Sequence, residues 1–74
     1  METLRVAVVG AMGAVGTEMI KTLESCSLPV RELVPLDATE NVGRQVSFRG
    51  QKVAVGEAAR GAFKGVDVAL FSAG

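Results

Sequence analysis

Six residues, Leu4-Arg5-Val6-Ala7-Val8-Val9, run without a break into Gly10-Ala11-Met12-Gly13-Ala14-Val15-Gly16, and this junction constrains the fold more than anything else in the chain. The first stretch is valine-rich and apolar apart from Arg5, as a strand buried on both faces would be. Behind the glycines the period changes. Val15, Met19, Leu23 and Cys26 recur at helical spacing, with Ile20 beside them, and predict a buried stripe on a helix over residues 14–27. Thr17, Glu18, Lys21 and Glu24 take the solvent side, with Glu18 early and Lys21 later, as the helix dipole favours. Pro29 is the expected stop.

Strand, glycine turn and helix in that order present backbone N–H groups and a helix N-terminus to an anion. This is the arrangement by which a Rossmann unit holds a dinucleotide diphosphate. Gly10 is expected to end the strand, Gly13 to admit the phosphates and Gly16 to bring helix and strand close. The spacing is G-x-x-G-x-x-G, one residue longer in its first interval than the common fingerprint. The alternative is that the glycines serve only a tight βα turn. Met12 stands at the crest, where it has no group to bond a phosphate and either packs on the adenosine or points to solvent.

Residues 30–36 read as a second strand that completes a βαβ unit. Pro35 cannot donate to a ladder, so this strand lies at an edge or turns the missing donor outward. Residues 37–44 form a polar loop. Residues 46–49 and 52–55 alternate around Gly50-Gln51 and predict a β-hairpin, residues 57–64 a short helix, and residues 66–71 a third apolar strand. The fold class is therefore α/β with a Rossmann-type parallel sheet, and residues 4–9 should lie between 30–36 and 66–71.

Two loops bear on the ligand. Asp37 follows the glycine turn by about 20 residues, where a carboxylate accepts from the ribose 2′-hydroxyl of NAD. Glu40 is a second acid, and Arg44 in the same loop could pair with a phosphate. All three could equally be ordinary loop charges. Ser72 and Gly74 close the third strand at its carboxyl end, where ligands of open α/β sheets sit. Ser72 has no base to activate it. Cys26 falls on the helix stripe near its C-terminal end, where the dipole disfavours a thiolate, and is expected to pack.

Composition removes several classes of function. Lys plus Arg and Asp plus Glu are both 8, leaving no basic field for nucleic acid or an anionic membrane. With one Cys and no His there is no internal disulfide, no ordinary Cys/His metal site and no His base. The N-terminal apolar run is too short for a signal-peptide core or a membrane span. A cytoplasmic location is expected.

The glycine loop, Phe48-Arg49-Gly50, and the closing stretch from Phe63 through Val66-Asp67-Val68-Ala69-Leu70-Phe71-Ser72-Ala73-Gly74 together resemble the N-terminal region of bacterial aspartate-semialdehyde dehydrogenases, over essentially the whole chain. That family makes aspartate semialdehyde from aspartyl phosphate with NADPH, in the pathway to lysine, threonine and methionine. The resemblance implies that residues 1–74 are the N-terminal part of an NAD(P)-binding Rossmann domain, with the catalytic and dimerisation domain absent. A chain that stops on a core strand fits this expectation. The fragment alone should be inactive, because the family's nucleophilic cysteine and acid/base histidine lie downstream and no catalytic residue falls within it.

The cofactor residues implied are Gly10, Met12, Gly13, Ala14, Val15 and Gly16 at the diphosphate, residues 38–41, with Glu40 and Asn41, at the adenosine 2′-phosphate, and Ser72 and Gly74 near the nicotinamide half. NADP is the cofactor implied. Two departures shift this toward NAD or dual use: Glu40-Asn41 stands where the family often has Arg-Ser, and Asp37 where it often has a small residue. The family usually has Thr at Met12. A small-molecule substrate and a homo-oligomer belong to the complete protein. Rival readings are another semialdehyde or acyl-phosphate reductase, and a non-catalytic Rossmann nucleotide-binding module.

Overall fold

A computed structural model describes residues 3–72. β1 (Leu4–Val9) leads through the glycine turn to α1 (Ala14–Ser25), and β2 (Val30–Asp37) follows. A 3-10 turn at Thr39–Asn41 precedes β3 (Gln45–Phe48) and β4 (Gln51–Ala54). β5 (Gly56–Glu57), a second 3-10 turn at Arg60–Phe63 and β6 (Val68–Phe71) complete the chain. The main sheet has the order β5-β2-β1-β6, all neighbours parallel, while β3 and β4 pair antiparallel as a separate ribbon. β1 is thus central, between β2 and β6, as its apolar run predicts.

Val6, Val8 and Leu33 of the sheet pack with Ala11, Ile20, Leu23 and Phe48, so the core lies between the sheet, α1 and the hairpin. Each buried branched side chain such as Ile20 or Leu23 contributes about 1.5–3 kcal/mol. Arg5, the one polar residue of β1, sits where the sheet meets solvent. Its Nε donates to Glu32 at 2.9 Å, its Nη1 to the Lys64 carbonyl at 2.8 Å, and its backbone N–H to Asp67 at 2.8 Å. It ties β2 and the turn before β6 to the central strand.

Several expectations shift. The helix ends at Ser25 rather than residue 27, with Cys26 as its C-cap. Val15 is half exposed, and the buried residues of α1 are Gly16, Ile20 and Leu23. The helix packs its Ile20–Leu23 side on the core, which turns Val15 outward beside the turn. No acidic residue lies in the first turn of α1 and no basic one in the last. Glu18 instead faces Lys21 at 3.9 Å, so the dipole contributes little here. β2 is not an edge strand. The Leu36 carbonyl faces β1, accepting from Gly10 N–H, and the Asp37 carbonyl faces β5, accepting from Ala58 N–H. By alternation the Pro35 nitrogen lies on the β5 side, where pairing begins only at Leu36, so no ladder bond is lost. β6 begins at Val68, two residues after the expected start. Residues 60–63 form a 3-10 turn where a short helix is predicted.

The hairpin turns on Arg49-Gly50, one residue earlier than Gly50-Gln51, with Phe48 paired to Gln51. Both central residues have positive φ, 48° at Arg49 and 83° at Gly50, the signature of a type I′ turn. Arg49 accepts this conformation because the turn docks on the end of α1. Its N–H donates to Glu24 at 2.9 Å, its Nη2 to the Leu23 carbonyl at 3.0 Å, and its guanidinium lies 5.1 Å from the Phe48 ring centre. The side chain therefore caps carbonyls the helix leaves open. Arg49→Ala is expected to lower stability by about 1–2 kcal/mol, seen as a lower urea midpoint at unchanged m-value. An unmoved midpoint would show that water replaces the cap without loss.

Candidate nucleotide-binding crevice

Beyond the carboxyl ends of β1 and β6 lies an open crevice of about 390 Å³ lined by Gly10, Gly13, Ala14, Val15, Asp37 and Ser72. The first two-thirds of the turn are fixed by backbone bonds. Gly10 and Ala11 N–H both donate to the Leu36 carbonyl, at 2.8 and 3.1 Å, and Gly13 N–H donates to the Gly10 carbonyl at 3.1 Å. The first bond of α1 runs from Thr17 N–H to the Gly13 carbonyl at 2.9 Å. Among the described residues nothing accepts from the N–H groups of Ala14, Val15 and Gly16, and no side chain caps the helix. These are the orphan donors of a helix N-terminus, and a helix places them toward its opening.

The three glycines differ in what the fold asks of them. Gly10 adopts φ 85°, and a Cβ there would overlap the Ser72 side chain. A Cβ on Gly16 would overlap the Gly10 carbonyl. Gly13 has φ −77° and ψ 168°, which any residue adopts, and its Cβ would meet only the Gly10 oxygen, at 3.5 Å. Folding therefore accounts for Gly10 and Gly16 but not for Gly13. A bare backbone at an exposed helix start, beside unpaired donors, suits the close approach of an outside anion.

Ser72 N–H donates to the Val9 carbonyl at 3.0 Å, and its Oγ lies 3.5 Å from the Gly10 oxygen. The end of β6 and the glycine turn are thus opposite lips of one opening. Gly74 lies outside the described residues. Met12 is half-buried on the other side of the turn, in a groove of about 350 Å³ between α1 and β3 with Ile20 and Val46. Gly16 is buried behind the turn. Glu40 is exposed on the 39–41 turn, and Asn41 is half-buried beside Asp37.

Asp37, at the end of β2, has both carboxylate oxygens occupied by donors of the chain itself. Its Oδ2 accepts from Met12 N–H at 2.8 Å. Its Oδ1 accepts from Ala38 N–H at 2.7 Å and from Asn41 Nδ2 at 3.2 Å. These donors, Met12 foremost and then Ala38 and Asn41, hold the carboxyl below the ordinary aspartate range. The carboxylate is thus engaged by the chain's own donors while lining the crevice beside Gly13 and Ala14. The only advance signal is position, an acid where β2 reaches the level of the turn. Cys26 is half-buried with its Sγ 3.2 Å from the Leu23 carbonyl, in keeping with a packing role. Among the described residues there is no cluster able to hold a metal ion, and no helix long and apolar enough to cross a membrane.

A sequence model of the family described as "Semialdehyde dehydrogenase, NAD binding domain" matches residues 5–74. The aspartate-semialdehyde dehydrogenase of Bacillus subtilis is 49% identical over 71 residues, 96% of this chain and 20% of the relative. That of Legionella pneumophila is 46% identical, again over 96% of this chain and 20% of the relative. Among solved structures, aspartate semialdehyde dehydrogenase II from Vibrio cholerae, complexed with ASA, superposes with a TM-score of 0.90 at 37% identity, over 99% of this chain and 24% of that one. The chain spans about a fifth of the length of the curated relatives it matches.

Proposed function

The chain belongs to the semialdehyde dehydrogenase family, in its NAD-binding domain, and from that premise we propose that it is the nucleotide-binding part of an aspartate-semialdehyde dehydrogenase. In this reading the complete protein reduces aspartyl phosphate to aspartate semialdehyde, on the route to lysine, threonine and methionine, as a cytoplasmic homo-oligomer. The observation that carries the reading is the set of N–H groups of Ala14, Val15 and Gly16, without an acceptor among the described residues, above the bare backbone of Gly13. They fit a dinucleotide diphosphate. A bound nicotinamide supplies the hydride for such a reduction. What this chain's residues do is narrower: the turn binds the diphosphate, Val15 and Ser72 wall the crevice, and residues 38–41 flank the adenosine ribose.

The cofactor proposed is NADP(H), with NAD(H) also taken. Glu40 is exposed on the 39–41 turn and puts a negative charge where an arginine would attract a 2′-phosphate. Titration of the protein carrying this chain with NADP+ and NAD+ tests the reading, and binding of neither overturns it. Glu40→Arg is expected to tighten NADP+ about fivefold or more, the effect of one exposed charge-assisted contact, with little change for NAD+. No gain in NADP+ affinity would remove Glu40 from the site.

A further inference from the structure

Thr17 lies behind the glycine turn. It lines the groove of about 350 Å³ with Ala11, Met12 and Ile20, whereas Gly13 and Ala14 line the crevice. Its N–H donates to the Gly13 carbonyl at 2.9 Å, as the first bond of α1. Its Oγ1 donates to the same oxygen at 2.8 Å. A carbonyl oxygen has two lone pairs, and Thr17 supplies a donor to each. The hydroxyl also lies 3.5 Å from the Ala11 carbonyl, but its one proton goes to the shorter contact.

The Gly13 carbonyl and the Ala14 N–H are the two ends of one peptide unit. That unit is planar, and with no cis bond among the described residues its C=O and N–H point in opposite directions. A grip on the carbonyl from the groove side therefore sets where the Ala14 N–H points. The helix bond alone holds the oxygen along the helix axis and leaves the plane free to tilt. The hydroxyl, reaching the same oxygen from the side chain, removes that freedom. Ala14 is the first of the three N–H groups without an acceptor among the described residues.

We propose that Thr17 is a positioning residue for the diphosphate: its hydroxyl fixes the plane of the Gly13–Ala14 peptide and so aims the Ala14 N–H into the crevice. This rests on the dinucleotide reading above. Thr17 acts through the Gly13 carbonyl and does not itself meet the nucleotide. Folding gains little from the bond, because a threonine bonded back to the carbonyl four residues earlier slightly destabilises a helix. Thr22 makes the same kind of bond, from its Oγ1 to the Glu18 carbonyl at 3.0 Å, in the middle of α1 and away from the crevice. It provides an internal comparison.

Three variants in the protein that carries this chain test the assignment: Thr17→Val, Thr17→Ser and Thr22→Val. Valine matches threonine in shape and is stiff in a helix, so a methyl replaces the hydroxyl. A carbon keeps about 3.3 Å or more from a carbonyl oxygen, so the Gly13 oxygen is pushed from its place and the peptide tilts. Thr17→Val is expected to weaken NAD+ and NADP+ about fivefold or more, the effect of one misdirected hydrogen bond, with their ratio unchanged. Thr17→Ser keeps the hydroxyl and should keep the affinity. Thr22→Val should bind as the unmutated protein does. Urea midpoints of Thr17→Val and Thr22→Val should agree, which separates aiming from folding. Full affinity in Thr17→Val overturns the proposal, as does an equal loss in Thr22→Val or in Thr17→Ser. A Thr17→Val midpoint well below that of Thr22→Val makes the hydroxyl part of the fold and overturns it too. Failure of the unmutated protein to bind either nucleotide overturns the proposed function first, and the role of Thr17 with it.

Discussion

Gly16→Ala is expected to destabilise the protein by about 3 kcal/mol or more, at the upper end of overpacking. The sign is the informative part. Gly16 lies inside α1, where replacing glycine by alanine ordinarily gains about 1 kcal/mol from helix propensity. Here the new methyl would overlap the Gly10 carbonyl oxygen and stand 2.8 Å from the Gly10 carbonyl carbon and 3.0 Å from Ala11 Cα. All three atoms are backbone, so no rotamer change relieves the contact. Either α1 lifts from the end of β1, or the turn opens and loses the bonds from Gly10 and Ala11 to the Leu36 carbonyl. Both routes strain the junction on which the core depends.

Gly61→Ala serves as the comparison, because nothing lies within 4 Å of a Cβ there and its φ is not positive. That variant should stay within about 1 kcal/mol of the unmutated protein, and the entropy of the unfolded chain favours it. Urea denaturation of both variants gives the measurement. A Gly16→Ala midpoint no lower than that of Gly61→Ala would mean that α1 and the end of β1 are not in close contact.

The contrast between these glycines marks how far the sequence could be read. The order β2-β1-β6, the helix and the turn follow from an apolar run, a change of period and the glycine spacing, all of which are local. β5 did not, because two residues carry no period; Gly56 and Glu57 pair with Leu36 and Asp37 only once β2 is in place. The hairpin was visible, but its turn was misplaced by one residue. Glycine alone marks a positive φ, and Arg49 takes one because Glu24 and Leu23, from a distant helix, hold it there. Val15 fits a helical stripe by spacing and yet lines the crevice, since spacing fixes a face of the helix and not its width. Asp37 was found by its distance from the turn. That both of its oxygens are engaged depends on Met12 and Asn41 meeting it in three dimensions.

Gly13 gives the prediction that separates ligand from fold. Gly13→Ala should keep stability within about 1 kcal/mol, since the backbone at φ −77° and ψ 168° suits alanine and the methyl makes one ordinary contact of 3.5 Å. Its effect on nucleotide affinity should be large. Gly13 lines the crevice next to the donors of Ala14, Val15 and Gly16, and a methyl there keeps a diphosphate from reaching them. One added methyl in a fitted site changes binding by about 10- to 200-fold, so Ala should weaken both NAD+ and NADP+ at least about tenfold, and Val about a hundredfold. Both nucleotides should suffer alike, because the diphosphate is common to them, whereas Glu40→Arg changes their ratio. Calorimetric titration with each nucleotide, beside a urea curve for each variant, reads both quantities. Full affinity in Gly13→Val would place the diphosphate away from this turn. Lost affinity together with lost stability would make Gly13 a third glycine of the Gly16 kind, required by the chain itself and saying nothing about a ligand.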